Sequence, residues 1–322
     1  MKALMYTGIG QLELQDVPMP QDEFIIKVSS CGVCGTDLKT YVQGHHMFKP
    51  PTILGHEFCG TVYRAPQNCG FKEGDTVVAA PYCECGKCWA CQRAAGQLCR
   101  EKSFIPSGAF CEYVGVPLDY VSKGIFKIEN DDDVYTLVEP LACVINGAEH
   151  LRINECSRAL IIGSGPMGAL FALLFKNRGI PVSVVELSET RRNLMSSWGI
   201  DCYEPDQADI SSFDNIIIAV NKAELVNEYA TKVAGGGTVL VFGGLPKDVV
   251  LGIDSYSIHY REVTVTGSSG FSIDHFKQAL EIIKSNPTEF SKIITHRLPI
   301  ERGQEGFELL KKAEPLKMVL KP

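Results

Sequence analysis

The sequence predicts an α/β protein in which an irregular β domain is followed by a parallel sheet covered by helices on both faces. Three observations support this. The chain has 322 residues, more than a single hydrophobic core usually serves, so we expect two domains. Residues 1 to about 135 form short β-rich runs broken by Gly and Pro. From about residue 141, short apolar strands alternate with helical patterns, which is typical of a parallel sheet.

Composition excludes several classes of function. The net charge is −7 and no basic run is present, so nucleic-acid binding has no electrostatic support. No segment reaches the roughly 18 consecutive apolar residues of a membrane span. The N-terminal letters MKALMYTGIGQLEL alternate like a strand and lack a signal core, so we expect a cytoplasmic protein. The odd count of 13 cysteines argues against a disulfide framework and points to bound metal.

The elements follow in order along the chain. In the first domain, β-branched and aromatic residues predict strands at 24–33, 60–65, 75–82 and 110–117. In the second, apolar runs predict strands at 158–163, 181–187, 214–220, 237–244 and 261–269. Helical spacing predicts intervening helices at 166–179, 188–199 and 223–236, the second with Ser188 as its N-cap. The tail holds a helix at 274–285 and an amphipathic stretch at 301–314.

Four cysteines with short, regular spacing lie in the first domain. They are Cys85, Cys88, Cys91 and Cys99. Four thiolates held by short turns suit a tetrahedral zinc ion, and four sulfur ligands leave no position for water or substrate. We therefore predict a structural zinc site. Cys83 lies close enough to compete as a ligand, but the spacing favours Cys85.

A glycine-rich turn joins the first strand of the second domain to its helix. Gly163, Gly165 and Gly168 form a GxGxxG pattern after the apolar letters LII. In this setting the first glycine permits a tight turn, and the second lets the backbone approach a pyrophosphate. The third allows close packing of helix on strand. The turn therefore predicts a dinucleotide site, with the phosphate charge stabilised by the helix N-terminus.

An acidic residue ends the following strand. Glu186 stands 23 residues after Gly163, where a carboxylate accepts hydrogen bonds from the ribose hydroxyls of NAD and repels the extra phosphate of NADP. NAD is therefore favoured. Arg191 and Arg192 work against this preference, because an Arg near the ribose can accommodate a 2′-phosphate.

Four further side chains are competent zinc ligands but are scattered along the sequence. They are Cys34, His56, Glu57 and Glu139. Three protein ligands with an exchangeable fourth position describe a catalytic site rather than a closed one. Sequence distance alone does not join these residues into one site.

Together, in this order, these patterns resemble the zinc-dependent medium-chain dehydrogenase/reductase family. The similarity runs from KALMY to the C-terminus. It is strongest to the branch of sorbitol and other polyol dehydrogenases, threonine 3-dehydrogenase and polyol-phosphate dehydrogenases. The matching stretches are CGVCGTDLK, PTILGHEFCGTV, CGKCWACQRAAGQLC, GAFCEY, VEPLACVINGAEHL and IIGSGPMGAL.

The resemblance implies a domain organisation and an assembly. Residues 1–137 would form a GroES-like catalytic domain with both zinc sites, and residues 138–270 a Rossmann NAD-binding domain. Residues 271–322 would return to complete the catalytic domain. The catalytic zinc would lie in the cleft between the domains, giving two zinc ions per chain. Relatives form homodimers or homotetramers, which implies an interface at the edge strand 261–269.

The resemblance also implies roles for individual residues. Cys34 and His56 would ligate the catalytic zinc, and Glu57 or Glu139 would complete the set directly or through water. Thr36 would hydrogen-bond the reacting alcohol oxygen and pass its proton to a relay, while hydride moves to NAD⁺. The remaining cofactor contacts implied by position are Pro166, Met167, Arg191, Phe242, Gly243, Gly244, Ser268 and Ser269.

The sequence departs from the family where substrate binds. Lys39 stands where relatives often carry the His that ends the proton relay, and its ordinary pKa near 10.4 suits proton shuttling poorly. Thr40 replaces an aromatic residue of sorbitol dehydrogenases. Their Arg and Tyr at the positions near Gly270 and Phe271 also differ, although Phe271 remains aromatic. These departures argue against sorbitol itself.

Three functions follow from the resemblance. The first hypothesis is a dehydrogenase that uses zinc and NAD to oxidise a secondary alcohol of a polyol or sugar-like molecule. A phosphorylated polyol is a close variant, for which the cationic candidates are Lys39, His45, His46 and Lys49. A solvated surface loop explains those four residues more simply. The alternatives are an L-threonine 3-dehydrogenase, favoured by CGTD, and a non-catalytic NAD(H)-binding zinc protein.

Overall fold

The computed structural model describes residues 1–322 as two compact units. Unit 1 comprises Met1–Ala142 and Phe271–Pro322, and unit 2 comprises Cys143–Gly270. All thirteen cysteines are free thiols. No helix has both the length and the apolar composition that crossing a membrane requires.

The regular elements are numbered in chain order. The strands are β1 Lys2–Gly8, β2 Gln11–Asp16, β3 Phe24–Gly32, β4 Thr52–Ile53, β5 Glu57–Arg64, β6 Thr76–Ala79, β7 Tyr82–Cys83, β8 Ser103–Phe104, β9 Tyr113–Val116, β10 Ile125–Lys127, β11 Ala159–Ile162, β12 Val182–Val185, β13 Asp201–Tyr203, β14 Asn215–Ile218, β15 Thr238–Val241, β16 Thr264–Gly267, β17 Ile294–Pro299 and β18 Lys317–Lys321. The helices are α1 Gly35–Gln43, α2 Trp89–Gln92, α3 Leu118–Gly124, α4 Val138–Ala148, α5 Pro166–Asn177, α6 Glu189–Ser197, α7 Ala223–Lys232, α8 Ser255–His259, α9 Ile273–Ser285, α10 Pro287–Ser291 and α11 Gly303–Lys311.

Unit 1 is built on a seven-stranded sheet. Its order is β10-β6-β5-β3-β18-β17, with β9 also paired to β3. Small sheets, β2-β1-β4 and β7-β8, complete the unit. Strand β18 pairs antiparallel with β3, with Leu320 opposite Cys31. The last residues of the chain therefore complete a sheet that residues 24–32 begin.

A buried ion pair links two strands of this sheet across β3. Lys317 on β18 and Glu57 on β5 are 3% and 1% exposed, and their Nζ and Oε2 atoms are 2.5 Å apart. Gly32 on β3 lies opposite Glu57. A Cβ at Gly32 would lie 2.3 Å from Glu57 Oε2, so only glycine leaves room for the carboxylate. The ion pair thus depends on having glycine at position 32, on the strand that lies between β5 and β18.

Unit 2 is a parallel sheet, as the alternation of strands and helices predicts, but it has six strands because Asp201–Tyr203 adds one that was not predicted. Its order is β13-β12-β11-β14-β15-β16, and every adjacent pair is parallel. Counted within the unit, this is the Rossmann order 3-2-1-4-5-6. The order reverses between β11 and β14, and ligands of such sheets bind where strands end at that point. A ligand of this unit is therefore expected to contact the residues that follow β11 and β14.

The single strand predicted at 75–82 was wrong. Residues 76–79 form β6 on the large sheet, and residues 82–83 form β7 in a separate hairpin. Pro81 lies between them and has no N–H to donate to a ladder, which favours a break. The Ser188 prediction is confirmed, because its side chain accepts a hydrogen bond from Arg191 N at the start of α6.

The buried ion pair yields a stability prediction. Lys317→Met leaves the Glu57 carboxylate buried without its counter-ion, so we expect the free energy of unfolding to fall by about 3–5 kcal/mol. Urea denaturation measures this change. The matched control is Lys321→Met on the same strand, because Lys321 is half-exposed and pairs with Asp133 at 3.3 Å. We expect that variant to lose less than about 1 kcal/mol. Equal stability of the two variants would refute the role of the pair.

Candidate catalytic and cofactor sites

Three of the scattered ligand candidates come together in unit 1. The ligand atoms of Cys34, His56 and Glu57 all lie within 4.8 Å of one another. Cys34 is the N-cap of α1, directly after β3, while His56 and Glu57 lie at the start of β5. The antiparallel pairing of β3 with β5 brings these two segments side by side. The result is a sulfur, a nitrogen and an oxygen donor at one point.

Asp37 fixes the two segments that carry these ligands. Its carboxylate is 1% exposed and accepts hydrogen bonds from Cys34 N at 2.9 Å and Gly55 N at 3.2 Å. Its Oδ1 also lies 3.6 Å from His56 Nδ1. A carboxylate beside a ligating imidazole orients the ring and strengthens it as a donor. Asp37 therefore supports both ligands while remaining outside the set.

The acidic groups and donor atoms of this cluster act strongly on their neighbours. Burial acts to lower the pKa of His56, but Asp37 and Cys34 outweigh it and raise that pKa well above its ordinary value. The pKa of Lys317 is likewise raised against its burial, chiefly by Glu57 and Cys34. Glu57 Oε2 accepts a hydrogen bond from Lys317 Nζ. The other carboxylate oxygen, Oε1, is buried without a hydrogen-bond partner. Glu57 therefore retains an oxygen donor, and together with the sulfur of Cys34 and the imidazole of His56 it fits a divalent metal.

Glu139 does not join the group of three. It lies on α4, is 8% exposed, and has a pKa raised to about 7, first by burial and then by Glu57 against the opposing effect of His56. It therefore interacts electrostatically with the cluster. Thr36 lies in the first turn of α1, and its N–H donates to Cys34 Sγ at 3.5 Å. Its position next to the ligand is compatible with a contact to substrate.

The four regularly spaced cysteines also come together. The Sγ of Cys88 lies 3.5 Å from that of Cys91 and 3.7 Å from that of Cys99, and the Sγ atoms of Cys85 and Cys91 are 3.9 Å apart. Tetrahedral zinc with bonds of about 2.3 Å requires sulfur separations of about 3.8 Å. These residues therefore fit zinc. Cys83 is buried outside the group, and burial raises its pKa to about 11.

The glycine turn of unit 2 has the geometry that its motif predicts. Gly163 has a φ of +95°, a conformation that favours glycine. A Cβ at Gly168 would lie 1.9 Å from Gly163 O, so helix α5 packs on the turn without room for a side chain. A Cβ at Gly165 would meet nothing within 4 Å. That open space, at the N-terminus of a helix whose first residue is Pro166, fits an approaching phosphate.

Glu186 is held by the turn itself. Ser164 donates to Glu186 Oε2 from both its N and its Oγ, each at 2.8 Å, and Ser188 N donates to Oε1 at 2.9 Å. Burial acts to raise the pKa of Glu186, but these bonds outweigh it and lower the pKa below its ordinary value. The nearby charge of Arg191 lowers it further. The residue is therefore an ionised, oriented acceptor.

Arg192 has a structural role that the sequence did not reveal. Its Nη1 donates to Glu186 O at 3.0 Å and Leu187 O at 2.7 Å, and its Nη2 pairs with Glu204 at 2.7 Å. It therefore fixes the backbone behind Glu186.

The other predicted cofactor positions follow strand ends of the same sheet. Phe242 and Gly243 come after β15, and both backbone N–H groups donate to Ile218 O. Ser268 comes after β16, and its Oγ is buried without a hydrogen-bond partner. The remaining predicted positions are Met167 in the glycine turn, Gly244 after β15 and Ser269 after β16. These groups lie at the carboxyl edge of the sheet, where a dinucleotide binds in this topology.

Three important residues escaped the sequence analysis. Asp37 stands three residues after the N-cap Cys34, a spacing typical of a capping box, which could have revealed it. Lys317 is one of two lysines in the C-terminal strand, and nothing local distinguishes it from the half-exposed Lys321. Asn146 on α4 is 1% exposed, and its Nδ2 donates to Gly270 O at 2.9 Å. No sequence pattern signalled that last contact.

Comparison with known proteins agrees with both units. Residues 20–126 match the alcohol dehydrogenase GroES-like domain, and residues 166–285 match the zinc-binding dehydrogenase domain. D-altritol 5-dehydrogenase of Agrobacterium fabrum is 29% identical, covering 93% of each chain. L-threonine 3-dehydrogenase of Bacillus subtilis is 28% identical, covering 100% of this chain and 99% of its own. A protein of Sinorhizobium meliloti 1021 solved with NADP is 27% identical over 100% of this chain and 99% of its own, with a TM-score of 0.86.

These matches confirm the fold class predicted from the sequence, a GroES-like β domain joined to a Rossmann domain. The chain belongs to the zinc-dependent medium-chain dehydrogenase/reductase family, and it is an alcohol oxidoreductase.

Proposed function

We propose that the enzyme oxidises a secondary alcohol of a polyol or sugar-like molecule to a ketone. The hydride goes to NAD⁺ and one proton is released. The observation that carries this proposal is the cluster of Cys34, His56 and Glu57, whose three different donor atoms lie within 4.8 Å of one another. Three protein donors leave a position for substrate, unlike the four sulfurs of the second site. The proposal therefore includes two zinc ions per chain, one catalytic and one structural.

Each residue of the catalytic cluster has a distinct task in this proposal. Cys34, His56 and Glu57 hold the zinc, and Glu57 is favoured over Glu139 because only Glu57 belongs to the group of three. Bound zinc polarises the substrate hydroxyl and favours loss of its proton. Thr36, two residues from Cys34, accepts that proton on its hydroxyl oxygen while it releases its own hydroxyl proton to a relay that ends in solvent. Glu139 adds a buried carboxyl group beside the ligands.

Unit 2 determines the cofactor in this proposal. The ionised carboxylate of Glu186 accepts hydrogen bonds from the ribose hydroxyls and repels a 2′-phosphate, which favours NAD. Ser164 and Ser188 hold that carboxylate before cofactor arrives, so little ordering is needed on binding. The NADP in the S. meliloti structure makes NADP the competing cofactor.

The relatives support a hydroxylated substrate. One acts on D-altritol by name and another on L-threonine, so the threonine reaction is the second candidate. The phosphorylated variant rests on a cationic loop after α1. The rings of His45 and His46 are 4.5 Å apart, and burial, His46 and Lys39 together lower the pKa of His45. The lowered pKa keeps the His45 ring mostly neutral near pH 7, so Lys39 and Lys49 supply the positive charge that would favour an anionic group on the substrate.

An assembly of identical chains is part of the proposal. Strand β16 is an outer strand of the six-stranded sheet, and Val265 and Thr266 on it are partly exposed. Exposed Tyr256 and Tyr260 on the preceding segment add apolar surface. We infer a homodimer or homotetramer joined at this edge.

The thirteen free thiols favour a reducing compartment, so we place the enzyme in the cytoplasm.

The decisive experiment measures NADH formation together with zinc content. Zinc-replete protein is assayed with NAD⁺ and NADP⁺ against polyols, polyol phosphates, cyclitols, L-threonine, butanediol and simple alcohols. We expect about two zinc ions per chain and turnover of a polyol. Cys34→Ser should lose catalytic zinc and turnover yet still bind NADH, whereas Cys91→Ser should lower the melting temperature. One zinc ion and no turnover in the wild type would favour the non-catalytic alternative.

Cofactor preference provides a second prediction. Glu186→Ala removes the ribose acceptor, so we expect the dissociation constant for NADH to rise about 10- to 100-fold. The constant for NADPH should rise less or fall, because the repelling charge is gone. Fluorescence titration measures both constants. Glu189→Ala, an exposed neighbour in α6, is the control. An unchanged ratio of the two constants in Glu186→Ala would contradict the ribose contact.

Substitutions at the second and third glycines of the turn, Gly165 and Gly168, should have different effects. At Gly165 an added Cβ meets nothing, so Gly165→Ala should keep its melting temperature yet weaken NADH binding at least about tenfold by filling the phosphate space. At Gly168 the Cβ meets Gly163 O, so Gly168→Ala should lose about 1–3 kcal/mol of stability. Calorimetry and NADH titration test this pair. Normal NADH affinity of Gly165→Ala would place the phosphate elsewhere.

A further inference from the structure

The chain returns from unit 2 to unit 1 between Gly270 and Phe271, and its backbone there is held on both sides. In unit 2, Asn146 Nδ2 donates to Gly270 O at 2.9 Å. In unit 1, Phe271 N donates to the hydroxyl of Tyr82 at 2.8 Å. The last residue of unit 2 and the first residue of this part of unit 1 are therefore each tied to a side chain of their own unit.

Within unit 1, two side chains hold the segment that begins at Phe271, and both lie within three residues of Cys85. Tyr82 lies on β7, and Glu84 directly precedes Cys85. The two oxygens of Glu84 accept from Ile273 N at 3.2 and 3.1 Å. Ile273 is the first residue of the 13-residue helix α9, where a negative charge is favourable. The start of α9 is thus anchored by Glu84.

Residues 85–102, here called the four-cysteine lobe, contact both Tyr82 and Glu84 or lie directly beside them in the sequence. The ring of Tyr82 stacks on that of Phe271 with centroids 4.5 Å apart, and the Nζ of Lys102 lies 4.2 Å from the centroid of the Tyr82 ring. On the other anchor, a Cβ at Gly96 would lie 2.9 Å from Glu84 Cδ, so the carboxylate packs directly on the loop that leads to Cys99. Folding of the lobe therefore fixes where Tyr82 and Glu84 stand.

We propose that Tyr82 and Glu84 are positioning residues for the cofactor. They tie Phe271 and Ile273 to the four-cysteine lobe and so restrain the preceding residues Ser268 and Ser269, which are predicted above as cofactor contacts. This inference rests on the proposed function for that cofactor contact. In this proposal the lobe does more than stabilise unit 1. An ordered lobe holds Phe271 and Ile273, which directly follow the predicted cofactor contacts Ser268 and Ser269.

The test uses single-atom and conservative changes that leave the cysteines intact. Tyr82→Phe removes the hydroxyl acceptor and keeps the stacked ring. Glu84→Ala removes the carboxylate, and Glu84→Gln restores one oxygen acceptor. Glu101→Ala is the control in the same lobe, because Glu101 makes only a backbone contact, to Cys99. Each protein is measured for zinc content, hydrogen exchange of the peptide covering residues 268–275, and the dissociation constant for NADH.

We expect Tyr82→Phe and Glu84→Ala to retain two zinc ions, to exchange residues 268–275 faster, and to bind NADH about fivefold more weakly. Glu84→Gln should recover most of both losses, and Glu101→Ala should match the wild type. The KM for NAD⁺ should rise more than kcat falls. Faster exchange with unchanged NADH affinity would overturn the inference, as would unchanged exchange. A wild type that binds neither NADH nor NADPH would overturn the proposed function as well.

Discussion

The catalytic cluster depends on one buried carboxylate, that of Asp37. It accepts a hydrogen bond from the residue that supplies the sulfur ligand and another from Gly55, next to the imidazole ligand. A buried carboxylate requires such partners, because an unpaired charge in the interior is costly. Satisfying Asp37 therefore draws the end of β3 and the start of β5 together. The hydrogen bonds that Asp37 accepts therefore help to set the positions of the ligands.

The cluster is also a concentration of charge that the fold must tolerate. Asp37, Glu57 and Glu139 are all buried, and Lys317 is the buried cation that faces them. Placing several acids together in the interior raises the free energy of the protein without metal, and a divalent cation relieves that repulsion. The affinity for metal and the instability of the empty cluster thus have the same origin.

Much of this architecture could be predicted from the sequence. Apolar runs such as those of β11 and β14 indicated buried parallel strands, and the glycine turn with Glu186 indicated the cofactor edge, because these signals are local. Lys317 could not be placed, since its partner lies 260 residues away and the link depends on sheet register. Arg192 was misjudged for a similar reason. A cation near a predicted ribose site gives no sign that its donors are already committed to backbone oxygens.

The order of the chain has a consequence for biosynthesis. Unit 2 is one continuous segment that ends at Gly270, whereas unit 1 needs a central strand made from residues 317–321. Domains fold as units while a chain emerges from the ribosome. Unit 2 can thus fold before residues 317–321 are made, but the sheet of unit 1 stays open beside β3 until that strand is available. During that interval Glu57 lacks Lys317, so the catalytic cluster is completed after unit 2 can already have folded.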